Sequence, residues 1–375
     1  MTARQRRAWS FAAATVPAVM VCAANAWQWV LFGCAAAAVL HLYMYFARRT
    51  HGLSLTESYE AAFGVPFGRV LLGLTALWTL LALAGAAGGA SAAFPDGEEG
   101  RLAPAAVLLL AGLACRYGAG IPARCAAVAA PVLAGLYLIL ILAAAPGVRG
   151  SWCGPWGAPA MAAQAGTAML LPTAALFLAE GREKDEKPPA LTLGWLLAAP
   201  AAMALVTSGN LSPQLTAAEP LPFYTLTKTL SLLSVMERFE PLLSAALFLG
   251  LFCMAALLTA SGVKTAALCA GTEEKPWHRW AFCGAAFLLT DVARRLPDGV
   301  RMGGTAVFWG LMPILAQVIV GIKKVEKKAK KELTNGGPDG NIAERSREGS
   351  TSDASPERKT SKNFEKLRKK FLTNR

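Results

Sequence analysis

The feature that most constrains this chain is a series of long apolar runs that recur along residues 1–322. The hydrocarbon core of a bilayer is about 30 Å thick, so a helix that crosses it needs about 20 mainly apolar residues. Hydrophobic residues make up 54% of the chain and charged residues 16%, which is far from the balance of a water-soluble domain. The sequence predicts an all-α integral membrane protein with ten transmembrane helices, near 8–25, 27–47, 69–92, 103–118, 124–146, 160–180, 190–208, 232–261, 279–292 and 305–322.

The connections between these runs indicate an orientation, because Lys and Arg accumulate in cytoplasmic loops. With the N-terminus inside, most basic connections fall on the cytoplasmic side, from Arg4, Arg6 and Arg7 to Lys264, Lys275 and Arg279. The exception follows the ninth span, where Arg294, Arg295 and Arg301 stand on the other side. An even number of spans then places the C-terminus in the cytoplasm as well.

The end of the chain has a different composition and is predicted to be a separate region, 323–375, after the membrane domain 1–322. It holds 16 Lys or Arg against 8 Asp or Glu, so it carries +8 of the total charge of +13. Segment 335–362 lacks apolar periodicity, and we expect it to be disordered. The final NFEKLRKKFL would suit anionic lipid headgroups, although a solubilising tail is the simpler interpretation. Nothing predicts nucleic-acid binding.

The cysteines, histidines and short sequence motifs of this chain form no recognisable catalytic or metal-binding pattern. The eight cysteines include no CxxC pair, the three histidines do not cluster, and no phosphate-binding or nucleophile motif is present. We therefore expect neither an enzyme nor a metal or cofactor site.

The N-terminus leaves one alternative open. RQRR, an apolar run and CAANA together have the pattern of a signal peptide. Retention is favoured, since a second full span follows at once and cleavage would leave an odd number of spans.

A charged cluster stands at the mouth of the eighth span, in SVMERFEPLLSAALF. Glu237 and Glu240 are three residues apart and share a helix face, while Arg238 points about 100° away. Charges in a span normally face a polar cavity, pair with each other or reach the headgroup zone. The cluster is thus either a headgroup contact or a gating wall, and Pro241 could kink the helix there.

Three segments resemble the spore germination permease family, the B subunits of GerA-type germinant receptors. In LPFYTLTKTLSLLSVMERFEPLLSAALFLGLF, the residues Glu237, Arg238, Phe239, Glu240 and Pro241 match an element that opens the family's eighth span. The stretch from AWQWVLFG to GRVLLGL is similar to its second helix and the amphipathic link into the third. CRYGAGIPARCAAVAAPVLAGLYLILILAAAPGV is similar to its passage from the fourth helix to the fifth.

This resemblance implies an amino-acid-permease-like fold of the APC superfamily, similar to LeuT, with two inverted repeats and helices one and six broken near the midplane. Broken helices expose backbone groups that can hold a zwitterion. The breaks are expected at Thr15, Val16 and Pro17 in helix one. In helix six they are expected at Gly166, Thr167, Pro172 and Thr173, with Gln164 one turn earlier. Trp78 with Thr79 and Ser244 would complete the ligand site from helices three and eight. Met254 stands where many relatives carry a polar residue, so an ion-coupling role does not carry over to it.

Three functions remain open. The first is a B-type subunit of a germinant receptor in the spore inner membrane, which would sense a small nutrient such as an amino acid beside an A-type membrane subunit and a C-type lipoprotein. The second is a secondary transporter of amino acids or similar solutes. The third is a membrane scaffold that has lost ligand binding. Gly85 and Gly89, four residues apart, further predict close helix packing.

Overall fold

The computed structural model describes residues 3–20, single positions between 28 and 45, and then 55–91, 99–150, 190–219, 221–229 and 240–335. Every regular element in these ranges is helical. The chain divides into two units, Met1–Gly321 and Ile322–Arg375. The predicted site residues Gln164, Gly166, Thr167, Pro172, Thr173, Glu237 and Arg238 lie outside the described residues.

Thirteen α-helices are formed by the described part of the chain. They are α1 (Ala3–Met20), α2 (Leu55–Phe63), α3 (Val65–Ala90), α4 (Glu99–Cys115), α5 (Gly120–Ala144), α6 (Ala190–Asn210), α7 (Pro213–Ala218), α8 (Pro222–Thr229), α9 (Glu240–Ala270), α10 (Pro276–Leu288), α11 (Thr290–Arg295), α12 (Asp298–Thr305) and α13 (Met312–Asn335). A 3₁₀ turn, Ala145–Gly147, follows α5, and a π-helical segment, Ala306–Leu311, joins α12 to α13.

Four stretches are long and apolar enough to cross a membrane: Val65–Ala90, Gly120–Gly147, Pro241–Ala270 and Gly299–Lys323. They coincide with four of the predicted spans, and the shorter apolar Leu102–Cys115 coincides with a fifth. The prediction of an all-α membrane protein is confirmed. The count of ten transmembrane helices stays a prediction.

Large apolar side chains cover the outward faces of α3 and α5, where water would make them costly. On α3 they recur at helical spacing, at Phe67, Val70, Leu74 and Leu77. On α5 a similar band is formed by Val128, Val132, Leu138 and Leu142. Contiguous exposed apolar surface of this kind marks contact with another apolar phase. We infer that these faces contact lipid.

Helix α9 is the centre of the bundle. It packs against α1, α3, α4, α5, α8, α10, and 67% of its most apolar stretch is buried, against 44%, 33% and 39% in the other three candidate spans. The predicted end of this span at residue 261 is wrong, because the helix continues to Ala270. Ser261 and Thr265 do not stop it, since their hydroxyls donate to the carbonyls of Leu258 and Ser261. It ends at Gly271, whose φ of 63° is typical of a helix C-terminus.

Two further boundaries differ from expectation. Helix α1 runs through Thr15, Val16 and Pro17, so the predicted interruption is not at these residues. A proline removes a single N–H from a helix, and the buried apolar side chains around it, such as Ala12 and Val19, hold α1 in place. The predicted ninth span, 279–292, instead divides at Leu289 into α10 and α11.

Helix α2 folds back along the start of α3. Gly64, at φ 82°, makes the turn, and a Cβ at Gly68 would lie 2.9 Å from the Cα of Glu60, so only glycine permits the approach. Arg69 and Glu60 form an ion pair at 3.4 Å across the joint. Burial raises the pKa of the Tyr59 phenol, which a contact with the Thr75 hydroxyl partly opposes.

We expect Gly250→Ala to destabilise the bundle, because a Cβ at Gly250 would overlap the Cγ2 atom of Val16. Valine has one strongly preferred rotamer in a helix, so α1 must shift, at a cost of about 1–3 kcal/mol. Thermal unfolding in detergent measures the effect. Gly284→Ala is the matched control, since nothing lies within 4 Å of a Cβ there. Adding Val16→Ala should recover part of the loss, and equal melting temperatures for the two glycine variants would contradict the expectation.

Candidate functional site

The predicted residue Trp78 lies in an aromatic cluster between α3 and the π-helical segment. The Trp78 cluster comprises Trp78 and Thr79 of α3, Gly304 of α12, and Phe308 and Trp309 of the π segment. The Trp78 ring lies in the space that a Cβ at Gly304 would occupy, and it stacks on Phe308 with centroids 5.9 Å apart at 29°. Trp309 Nε1 donates to Thr79 Oγ1 at 3.3 Å, and Thr79 Oγ1 donates to Thr75 O at 2.8 Å.

One polar group in this cluster has no partner within the described protein. Trp78 Nε1 is buried and donates no hydrogen bond there. Leaving a buried donor unpaired costs about 1–3 kcal/mol, so such a group needs an explanation. The carboxamide oxygen of Gln317 on α13, a residue 3% exposed, is a second buried atom that finds no partner in the described structure. Among the described residues, neither atom has a partner that would satisfy it.

The π segment has a local cause in the sequence. Pro313 has no N–H and cannot bond the carbonyl four residues earlier, at Trp309. The helix widens just before it, so that Met312 N–H reaches Val307 O, five residues back. Single π-helical turns occur frequently at functional sites. This widened turn presents Phe308 and Trp309 to α3.

Thr15 and Val16, predicted to bind ligand, instead form the crossing of α1 with α9. Thr15 Oγ1 donates to Ala12 O at 2.8 Å, and both side chains are almost fully buried against Gly250. Close by, Trp9 Nε1 donates to Cys253 O at 2.8 Å. The contacts at this crossing are those of helix packing.

Ser244 and Pro241 lie at the start of α9, beside α8. Ser244 Oγ donates to Tyr224 Oη at 3.4 Å. Both residues line a cavity of about 950 Å³, together with Leu110, Tyr224, Ala245, Phe248, Leu249 and Phe252. We call it the Tyr224 groove. Pro241 is the second residue of α9, and the carbonyl four positions before it lies outside the described residues, so the predicted kink stays a prediction. Glu240 begins the same helix.

The described part of the predicted site is therefore spread along α9. Helices α3 and α9 are antiparallel, since Gly73 faces Cys269 and Arg69 faces Gly271. Trp78 is then level with about residue 264 of α9. At about 1.5 Å per residue, Gly250, and with it Thr15, lies roughly 21 Å away along the helix. Ser244 is farther still, so the structure does not bring Thr15, Trp78 and Ser244 together, and their roles in binding stay predictions.

Several residues of these regions were not predicted from the sequence: Gly304, Phe308, Trp309, Gln317 and Tyr224. The stretch MGGTAVFWGLMP contains the signal for most of them. A glycine pair permits close approach, an aromatic pair follows, and a proline four residues after Trp309 disturbs the helix at that level.

Comparison with protein-family models and with curated proteins finds no match. Among solved structures, the chain is similar to Mhp1, a nucleobase-cation-symport-1 family transporter in a closed conformation with bromovinylhydantoin bound. The TM-score is 0.60 at 14% identity, over 84% of this chain and 76% of that one. The fold is that of the LeuT-like transporters. This agrees with the predicted APC-like architecture, while membership of the spore germination permease family stays a prediction.

We expect Thr79→Val to lower stability by about 1–3 kcal/mol, because it removes the hydroxyl that accepts from the buried Trp309 N–H. Thermal unfolding in detergent checks this. Thr265→Val is the control, since Thr265 is equally buried and its hydroxyl donates to Ser261 O within its own helix. A larger loss in the control would argue against the Trp309–Thr79 bond.

Proposed function

We propose that this protein is a secondary transporter, or permease, for a small, planar, uncharged solute with a hydrogen-bond acceptor. The observation that carries the proposal of transport is the fold, shared over 84% of the chain with a transporter. That protein is described as a nucleobase-cation symporter; the solute of this chain is inferred from its own residues.

The Trp78 cluster supports this class of solute. Its stacked rings provide flat apolar surface, and the Trp78 N–H, which has no acceptor among the described residues, provides one donor. Such a site suits a ring with a carbonyl or ring nitrogen at its edge.

An amino acid is less well supported as the solute. Recognition of a zwitterion by broken helices needs free helix ends. Helix α1 is continuous at Thr15, Val16 and Pro17, where those ends were expected.

The test is uptake of radiolabelled uracil and hydantoin, with alanine for comparison, into proteoliposomes that contain the full-length protein. Trp78→Phe keeps a ring but removes the N–H, and we expect it to raise KM about 3- to 10-fold, the value of one hydrogen bond. Trp277→Phe is the control, because Trp277 is 60% exposed on α10. Uptake of alanine alone would overturn the proposed solute class, and no uptake of any of the three would overturn the transport of these solutes.

A second candidate function is favoured by the ERFEP segment, residues 237–241, which resembles an element of the spore germination permease family. The chain would then be a B-type germinant receptor subunit in the spore inner membrane, with both termini cytoplasmic, that binds an A-type subunit and a C-type lipoprotein. Anionic headgroups would contact its basic tail. Deletion in a spore former should then abolish germination with one nutrient, and complementation with Trp78→Phe should raise the nutrient concentration required. Co-purification of both partner subunits with an inert Trp78→Phe variant would instead favour the scaffold hypothesis.

A further inference from the structure

The Tyr224 groove follows one face of α9. Its α9 residues recur at positions i, i+3, i+4, i+7, i+8 and i+11, which share one helix face: Pro241, Ser244, Ala245, Phe248, Leu249 and Phe252. The opposite face, with Leu243, Leu247, Gly250 and Leu251, is buried in the bundle. Leu110 of α4 forms the other wall, and Tyr224 of α8 closes one end. The groove is thus a long apolar channel on the outside of the helical core.

The groove has the length of one leaflet. From Pro241 to Phe252 there are eleven residue steps of about 1.5 Å, or roughly 16 Å, and half of a hydrocarbon core is about 15 Å. It is continuous with exposed apolar side chains on α4 and α9, namely Leu109, Leu113 and Leu242. The groove therefore opens toward the acyl chains of the bilayer.

Among the described residues that line the groove, the polar side chains lie at one end. The hydroxyls of Ser244 and Tyr224 lie 3.4 Å apart, and Lys228 Nζ lies 5.1 Å from the centre of the Tyr224 ring. Lys228 is exposed in the last turn of α8. The carboxylate of Glu219, which follows α7, accepts a hydrogen bond from the hydroxyl of Thr225 in α8 at 3.2 Å. A cation and two hydroxyls at the end of an apolar channel complement an anionic phosphodiester joined to an acyl chain.

We propose that the Tyr224 groove binds one anionic phospholipid. An acyl chain lies along Phe248, Leu249 and Phe252 against Leu110. The phosphate faces Lys228, and the hydroxyls of Tyr224 and Ser244 contact its oxygens or the glycerol esters. This site is separate from the Trp78 cluster and does not depend on the solute that the protein carries.

The test is native mass spectrometry of the full-length protein, titrated with phosphatidylglycerol or phosphatidylcholine of identical acyl chains. We expect one phosphatidylglycerol to bind more tightly than phosphatidylcholine. Lys228→Gln should weaken it about fivefold, the effect of one lysine near a membrane surface, with the exposed Lys275→Gln unchanged. Leu249→Trp should fill the channel and weaken both lipids, whereas Leu138→Trp, on the lipid-facing side of α5, should not.

Thermal unfolding of each variant in detergent shows that it is folded. Equal binding of the two lipids, with no effect of Lys228→Gln, would overturn the headgroup assignment. Unchanged lipid binding by a folded Leu249→Trp variant would overturn the groove as the site. Loss of lipid in the Leu138→Trp control to the same degree would show general annular binding and also overturn the proposal.

Discussion

A large side chain of one helix lying on a glycine of the next is the contact on which this bundle depends. Lipid chains are as apolar as the helices, so association in a bilayer relies on close packing. A Cβ added at any of four glycines would meet a large side chain of another helix, in the pairs Val16 on Gly250, Phe282 on Gly262, Trp280 on Gly112 and Trp78 on Gly304. Two of these glycines belong to α9, which explains why that helix can have so many neighbours.

Satisfied polar groups accompany this packing, because the bilayer interior offers no water to a free N–H or C=O. Buried hydroxyls on several helices, including Thr15, Thr75, Thr207 and Thr265, donate to carbonyls of their own helix. Donors on neighbouring helices reach carbonyls of α9, from Trp9 to Cys253 and from Cys115 Sγ to Ala256 at 3.3 Å. Trp78 Nε1 and Gln317 Oε1 differ from these groups, because neither finds a partner among the described residues.

The length of the apolar runs predicted the four described helices that are long and apolar enough to cross a membrane, because that length reflects the thickness of the bilayer. It could not give their ends. The span was predicted to end before the polar Thr265, yet the hydroxyl of Thr265 donates to the carbonyl of Ser261 and α9 continues. Pro17 predicted an interruption of the first helix, yet α1 continues through it. Gly85 was predicted to allow close packing and lies near Ala293, but the tighter contact is made by Gly88 against Thr290 and Arg294. Helix ends and close contacts depend on which side chain of another helix packs at that position. The periodicity of apolar residues in the sequence does not predict this.

The same limit applies to the site. Trp78 could be selected from the sequence, but its neighbours Gly304 and Phe308 are more than 200 residues away along the chain. Their meeting depends on the widened turn before Pro313. The Trp78 cluster itself offers side chains: two stacked rings and one N–H. These groups complement a flat molecule with an acceptor better than they complement a zwitterion. The fold, established at 14% identity, carries no information about the solute, so the preference for a planar solute over an amino acid rests on the chemistry of this cluster.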